Sequence, residues 1–428
     1  MGHAMRITVI TFGSRGDVQP MVALAAGLQQ AGHQVVVACE HAFEALVRAH
    51  GLAFSPVTGD VEKMMQGSDG QQFVETGQNT VAMVRALARE VFPVLRDVLQ
   101  DLRHATAGAE LLLCAGIGFY PGASLAEEKA IPYIQCYLQP LLLTREFYSP
   151  LLPHPRWPLP GIANQLSHAV AGQSFWQVLR KGVNRLRTTE MGLPPWPFFG
   201  PFQEMLAQKR MQLMGWSEQI VPKPRDYPAF AHVTGYWFLD AEPAWTPDPA
   251  LVDFLAAGPP PIYVGFGSMT RRDPRAAAQM VVAALQASGQ RGILLRGWGG
   301  LAPDELPPSI HLIDGAPHDW LFPHMSAVVH HGGAGTTAAA LRAGKPSLAL
   351  PFFADQPFWG QRIATLGAGP APIPQRAVTV ETLAAAMRRL ATDEALRRRA
   401  AALGSAIRAE NGVARAVALI TAAHPPIP

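Results

Sequence analysis

The chain has 428 residues, 49% hydrophobic and 16% charged, and its 35 Lys and Arg face 32 acids for a formal net charge of +3. That length supports a sizeable core and favours two domains, and the near-balanced charge, without a Lys/Arg block or a basic-aromatic stripe, argues against nucleic acid as the main partner. The 3 cysteines, Cys39, Cys114 and Cys136, match no zinc or redox spacing, so they read as buried structural thiols in a reducing, cytoplasmic setting. The N-terminus enters a strand without a charged and then apolar leader, and no apolar run reaches about 18 residues, so neither a secretory signal nor a transmembrane helix is expected.

In chain order, "RITVITF" predicts a strand, "FGSRGD" a glycine turn, "MVALAAGLQQAG" a helix with Gly32 at its C-cap, and "HQVVVACE" a second strand. "LLLCAGIG" and "IPYIQCYL" are further buried strands with helical stretches between them. Such alternation implies a parallel sheet covered on both faces. From Leu141 to about Pro201 the chain turns proline-rich and aromatic. A helix follows within it, whose Leu166, Val170, Phe175, Leu179, Val183 and Leu186 are expected to line one face. After "PDPALVDFLAAGPPP" the pattern restarts: strand "IYVGFGS", helix "PRAAAQMVVAALQASG", strands "RGILLRG", "IHLID" and "AVVHH", turn "GGAG", helix "TTAAALRAG", strand "PSLALPF" and a helical end. The fold class is therefore α/β, two doubly wound Rossmann-like domains facing across a cleft, with ligands expected beyond the carboxyl ends of the strands.

The second glycine turn is the more informative. Gly332, Gly333 and Gly335 permit close backbone approach, and Thr336 and Thr337 open a helix whose free N–H groups and dipole suit an anion. His331 can add an imidazole; a simple Thr N-cap after a flexible turn explains the same residues. His330 and His331 point to opposite faces of a strand and would not chelate one metal together. With no HExxH and no Asp-x-Asp pair, metal-free chemistry is expected. The first turn poses the opposite problem, because it carries a carboxylate, Asp17, where anions usually bind. Asp17 as helix N-cap, with Pro20 in the first turn, is one explanation; a catalytic base is another.

"GSRGDVQP", "GAPHDWL", "HHGGAGTT" and "RAGKPSLALPFFADQPFWGQR", in this order and at these distances, resemble the inverting family-one glycosyltransferases of the GT-B fold, in the sterol glucosyltransferase and antibiotic-aglycone glycosyltransferase branch. The resemblance covers the whole chain and is weakest over Leu141–Pro201. It implies an acceptor-binding domain over residues 1–222, a nucleotide-sugar domain over 223–405, and a terminal helix, 406–428, packing back on the first domain. It implies Asp17 as the base that deprotonates the acceptor hydroxyl. His331, Gly333, Gly335, Thr336 and Ser268 would hold the donor diphosphate, with Ser14 and Arg15 reaching it from the first domain. His318 would meet the nucleobase, and Asp355 and Gln356 the sugar hydroxyls. Ala339 stands where plant relatives place a ribose-binding glutamate, which leaves UDP and dTDP both open.

No cofactor is implied beyond a nucleotide sugar as co-substrate, UDP-glucose first. The aromatic excursion, with Phe147, Trp157, Phe175 and Trp176, suggests a hydrophobic acceptor such as a sterol, polyketide or flavonoid, while ordinary core packing explains the same residues. Peripheral membrane contact near Trp176 is a further open reading. The rival functions are an epimerase-like GT-B enzyme, a dTDP-deoxysugar transferase, and a non-catalytic binding protein on the same fold.

Overall fold

A computed structural model describes residues 4–59, 80–153, 155, 157–240, 245–266, 274–296 and 306–423, with only the backbone of 80–91 and 274. The chain divides into two units: Met1–Gly70 with Asn79–Leu239 and Asn411–Pro428, and Asp240–Glu410.

The first unit contains β1 (Arg6–Ile10), α1 (Arg15–Gln30), β2 (Gln34–Glu40), α2 (Glu44–Ala49), β3 (Ala53–Val57), α3 (Thr80–Ala105), β4 (Leu111–Ala115), α4 (Phe119–Glu128) and β5 (Tyr133–Tyr137). It continues with α5 (Gly161–Glu190), α6 (Phe202–Ala207), β6 (Gln212–Met214) and β7 (Ala231–Val233). All described strand pairs are parallel, in the order β3-β2-β1-β4-β5-β6-β7. Because side chains alternate, Ile7 and Val9 of β1 enter one core with Met21, Leu24 and Leu28, and Ile10 enters the other with Leu112, Cys114, Phe119 and Trp176. Cys39, Cys114 and Cys136 are all buried and unbridged.

The second unit contains α7 (Pro249–Ala256), β8 (Ile262–Gly265), α8 (Pro274–Ser288), β9 (Gly292–Leu295), β10 (Ile310–Ile313), α9 (His318–Leu321), β11 (Ala327–His330), α10 (Ala334–Arg342) and β12 (Ser347–Ala349). Then come α11 (Gln356–Thr365), α12 (Val380–Thr392) and α13 (Glu394–Ala409). Its parallel sheet runs β10-β9-β8-β11-β12. In both sheets the strand order reverses beside the first strand, between β1 and β4 and between β8 and β11. A doubly wound sheet opens a crevice at that point.

Three expectations need correction. The first unit runs to residue 239, not 222, because β6 and the short β7 extend its sheet. The return to it begins at Asn411 rather than 406, since α13 belongs to the second unit. The returning α14 (Gly412–Ala423) lays Val413, Ala416 and Ile420 against α1, where a side chain at Gly27 would collide with Val413. The third correction concerns α5, whose apolar positions do not share a face. Leu179, Val183 and Leu186 are buried, whereas Leu166 and Val170 are 61% and 47% exposed. The step from 170 to 175 breaks the helical spacing, so the stripe swaps sides there.

The carboxyl half of α5 is fixed by Arg187, which is 1% exposed. Its guanidinium donates to both Glu127 oxygens at 3.1 and 2.9 Å, to Ser124 Oγ at 3.1 Å and to Pro194 O at 3.0 Å, and lies 4.2 Å from the Trp196 ring centroid. Arg187→Leu should therefore destabilise the first unit by on the order of 3 kcal/mol, read as an earlier denaturant midpoint in tryptophan fluorescence.

Candidate active site

In the first unit α1 starts at Arg15, six residues before the expected Met21, so Pro20 lies in its second turn. Ser14, not Asp17, is the N-cap. Asp17 reaches back from the third helical position: its Oδ2 accepts from the Ser14 backbone N–H at 2.9 Å and the Ser14 hydroxyl at 2.8 Å, the carboxylate half of a capping box. Gly13 makes this possible. Its φ is +133°, and a Cβ there would stand 2.5 Å from Asp17 Oδ2. The Gly13 N–H in turn donates at 2.9 Å to Oε1 of Glu40, a buried acid at the end of β2. Thr11 adds a hydroxyl bond to the Asp17 carbonyl at 3.2 Å.

Desolvation pushes the Asp17 carboxyl above its ordinary range, against the two Ser14 hydrogen bonds that pull it down. The turn thus answers its helix dipole with its own acid and keeps that acid more basic than an exposed carboxylate. Both Ser14 donors go to Asp17, and the exposed Arg15 bonds Gln19 Oε1 through Nε at 2.9 Å.

The turn after β11 is built differently. Gly332 has φ +93°, and a Cβ on it would come 2.9 Å from Gln356 O, so this turn packs directly on the start of α11. Gly333 is the N-cap of α10, and a side chain there would strike Nε2 of His331. The imidazole edge therefore lies over the start of the helix, whose first turn contains Gly335 and Thr336. No acid occupies that first turn. Nδ1 of His330 accepts the Gly332 N–H at 3.0 Å, which places the His330 proton on Nε2.

His330 Nε2, His331 Nδ1 and Thr337 Oγ1 are buried with no protein partner, a concentration of unmet polar groups in one turn. Burial lowers His331 to about 4 and His330 to about 3, so both are neutral near pH 7. His331 would meet an anion as a neutral N–H donor, and the anion would raise its pKa.

Around this turn, β8 ends at Gly265 in register with His330; Ser268, just beyond, lies outside the described residues. His318 stacks on Phe322 at 4.3 Å between centroids and meets Tyr263 edge-on at 6.1 Å. Asp355 sits at the N-cap position of α11, and its Oδ2 accepts the Trp359 indole N–H at 2.7 Å. Gln356 is buried, and its Oε1 accepts from the Phe352 and Phe353 N–H groups at 2.8 and 3.3 Å. Gln356 thus ties down the loop after β12, while the Asp355 bond stays at the start of α11. Ala339 packs against the apolar core under α10. Among the described residues no group of three or more His, Cys, Asp or Glu could hold a metal.

The four acceptor candidates separate. Trp176 is wholly buried, stacked 5.7 Å from Tyr120, with its indole N–H on Phe198 O at 2.9 Å; it is core and is not accessible to an acceptor. Phe175 is partly buried against Tyr120, and Phe147 meets His168 edge-on at 5.6 Å. Trp157 is 70% exposed. A cavity of about 480 Å³, lined by Glu127, Tyr133, Trp196, Glu204 and Arg210 among others, opens at the start of β5 and so at the strand ends opposite the Gly13 turn. Sequence reasoning missed Glu40 and weighed His330 only as a metal ligand. The signal for Glu40 was an acid closing the otherwise apolar run "QVVVAC".

Residues 7–145 match the glycosyltransferase family 28 N-terminal domain, and residues 300–418 the erythromycin biosynthesis protein CIII-like C-terminal domain. The sterol 3-beta-glucosyltransferase UGT80B1 of Arabidopsis thaliana is 36% identical over 96% of this chain and 67% of its own length. The sterol 3-beta-glucosyltransferase of Neosartorya fischeri is also 36% identical, over 98% of this chain but 29% of its own length. The chain thus spans about a third of the fungal relatives it matches and two thirds of the plant one. Among solved structures, the kitacinnamycin glycotransferase superposes with TM-score 0.69 at 21% identity, covering 99% of both chains. The Streptomyces sp. SF2575 glycosyltransferase SsfS6, complexed with thymidine diphosphate, gives 0.63 at 20% identity over 98% and 99%.

If the His331 edge over Gly333 receives a diphosphate, Gly333→Ala should displace the ring and weaken nucleoside diphosphate binding by roughly tenfold or more, the scale of one charge-assisted hydrogen bond. Calorimetry with the free nucleoside should show little change; equal losses for both ligands would reject the assignment.

Proposed function

The chain belongs to the family-one glycosyltransferases of the GT-B fold, in the sterol glucosyltransferase and antibiotic-aglycone branch, and from that membership we propose that it transfers a hexose from a nucleotide diphosphate sugar to the hydroxyl of a sterol. The relatives at 36% identity are sterol 3-beta-glucosyltransferases, which supports a sterol over a polyketide or flavonoid acceptor and glucose over other hexoses. The observation that carries the mechanism is the contrast between the two turns. One presents a desolvated carboxylate, and the other an acid-free helix start under a neutral imidazole.

In this reading Asp17 takes the proton as the acceptor oxygen attacks the anomeric carbon. The bond from that carbon to the diphosphate breaks in the same displacement, and the carbon inverts, so an α-linked donor yields a β-glycoside. Charge developing on the leaving diphosphate is met by the α10 N–H groups, Thr336 and His331. Ser14 acts on Asp17 rather than on phosphate. UDP-glucose is the favoured donor, with dTDP-glucose next because Ala339 offers the ribose no acceptor. Protein donors take the place of a metal. A non-catalytic or epimerase-like role accounts less well for the raised Asp17 pKa.

Asp17→Asn keeps an acceptor for the Ser14 N–H and removes the base. kcat should fall roughly 10²- to 10⁴-fold with nucleotide affinity kept. Because the folded pKa lies above the unfolded one, the ionised carboxylate costs native stability at neutral pH, so the variant should be as stable as wild type or more so. For the same reason kcat should decline with falling pH from above the ordinary carboxylate range. Wild-type kcat in the variant would leave Asp17 as a helix cap only.

Incubation of UDP-glucose, dTDP-glucose and a dTDP-dideoxyhexose with a sterol, followed by mass spectrometry, should show a hexosyl sterol, with UDP-glucose giving the highest kcat/KM and activity surviving EDTA. A preference for the dideoxy donor would move the chain to deoxysugar transfer.

A further inference from the structure

Among the described residues, the outward face of α5 has no protein partner suited to its composition. Ile162, Leu166 and Val170, at i, i+4 and i+8, are 71%, 61% and 47% exposed, so they form one apolar row along the first three turns. Trp157 stands just before the helix at 70% exposure. Farther along, Gln173 and Gln177 both donate to Phe198 O, at 3.1 and 2.7 Å. This holds the 198–199 corner against the helix with Phe198 and Phe199 53% and 61% exposed. Beyond the corner the same side of the helix becomes basic. The Arg180 guanidinium lies 5.0 Å from the Phe198 ring centroid, and Lys181 and Arg185 are exposed.

The acids of this segment do not offset that charge. Residues 141–200 contain six Lys and Arg against two acids, and with Arg187 buried on Glu127 five cations remain. Glu190 is engaged by Arg96 at 2.7 Å, and Glu146 accepts the Arg225 N–H at 2.8 Å. An apolar row of about three turns, an exposed tryptophan and a cationic end together make an amphipathic surface complementary to an anionic bilayer. No described helix is long and apolar enough to cross a membrane, so the contact would be peripheral.

We propose that the α5 face from Trp157 through Phe199 to Arg185 docks the protein on membranes containing anionic phospholipid, with Ile162, Leu166 and Val170 entering the acyl boundary. This deepens the sterol reading, since such an acceptor resides in a bilayer, but the binding itself needs neither donor nor acceptor.

The test is flotation with vesicles of phosphatidylcholine alone or mixed with phosphatidylglycerol, without sugar nucleotide or sterol. Wild type should float with the mixed vesicles and release as salt rises. Ile162→Ser with Leu166→Ser should weaken binding by on the order of tenfold or more, because buried apolar side chains supply it. Lys181→Glu with Arg185→Glu should abolish the preference for phosphatidylglycerol. Both double variants are at surface positions and should keep wild-type turnover of a detergent-dispersed sterol. Failed turnover with intact flotation would sink the sterol reading alone. Absent flotation by wild type, or equal flotation by all variants, would overturn the docking proposal. So would a wild-type dimer in light scattering that the serine variants convert to monomer, since the row would then face a second copy.

Discussion

A strand-to-helix turn beside the reversal point of a parallel sheet constrains everything else in this molecule. The turn must bring a helix N-terminus close to the strand end, and it can do so only where a residue tolerates a positive φ and a missing Cβ. Gly13 meets that need in the first unit and Gly332 in the second. The same geometry then diverges through side chains. After Gly13 the chain supplies its own anion, Asp17, and a second acid, Glu40, to hold the turn. After Gly332 it supplies a neutral imidazole and no acid in the helix start. One backbone solution thus yields a desolvated carboxylate in one unit and an acid-free helix start under a neutral imidazole in the other.

The energetics of the two turns point the same way. A desolvated carboxylate beside a serine and a cluster of buried histidine nitrogens without partners are both unfavourable in the ligand-free fold. Such arrangements persist where function compensates for them. The well-satisfied elements lie elsewhere: Arg187 with its carboxylate and carbonyl partners, Trp176 with its carbonyl, and Gln356 with two amides. Those residues hold the architecture, and the less comfortable groups gather at the two turns.

Much of the architecture was legible in the sequence because parallel strands buried on both faces read as apolar runs: "RITVI", "LLLCA", "AVVH". The short β6 and β7 were not, since three residues carry no period, and the domain boundary moved with them. The glycine turns were legible as turns, but the partners of Asp17 were not, because the choice between Asp17 and Ser14 as N-cap depends on where the helix begins. Pro20 pointed to a later start than the structure has. On α5, a five-residue step between Val170 and Phe175 turned one expected stripe into two opposite ones. Trp176 read equally as a ligand-facing aromatic or as core, and it is core, because aromatic content alone does not say which side of a helix is inward. Glu40 escaped notice since its partner, the Gly13 amide, is 27 residues away.

The return of α14 to the first unit has a consequence for synthesis. The chain leaves that unit at residue 239, builds the whole second unit, and only then delivers Val413, Ala416 and Ile420 to cover Leu24 and Leu28. While the ribosome is still adding the second sheet, the outer side of α1 has no cover, although the strands beneath it are complete. The first unit to emerge is therefore the last to be finished. In the interval its bare helix is a natural point of engagement for a chaperone, and its closure waits on the final dozen or so residues of the described fold.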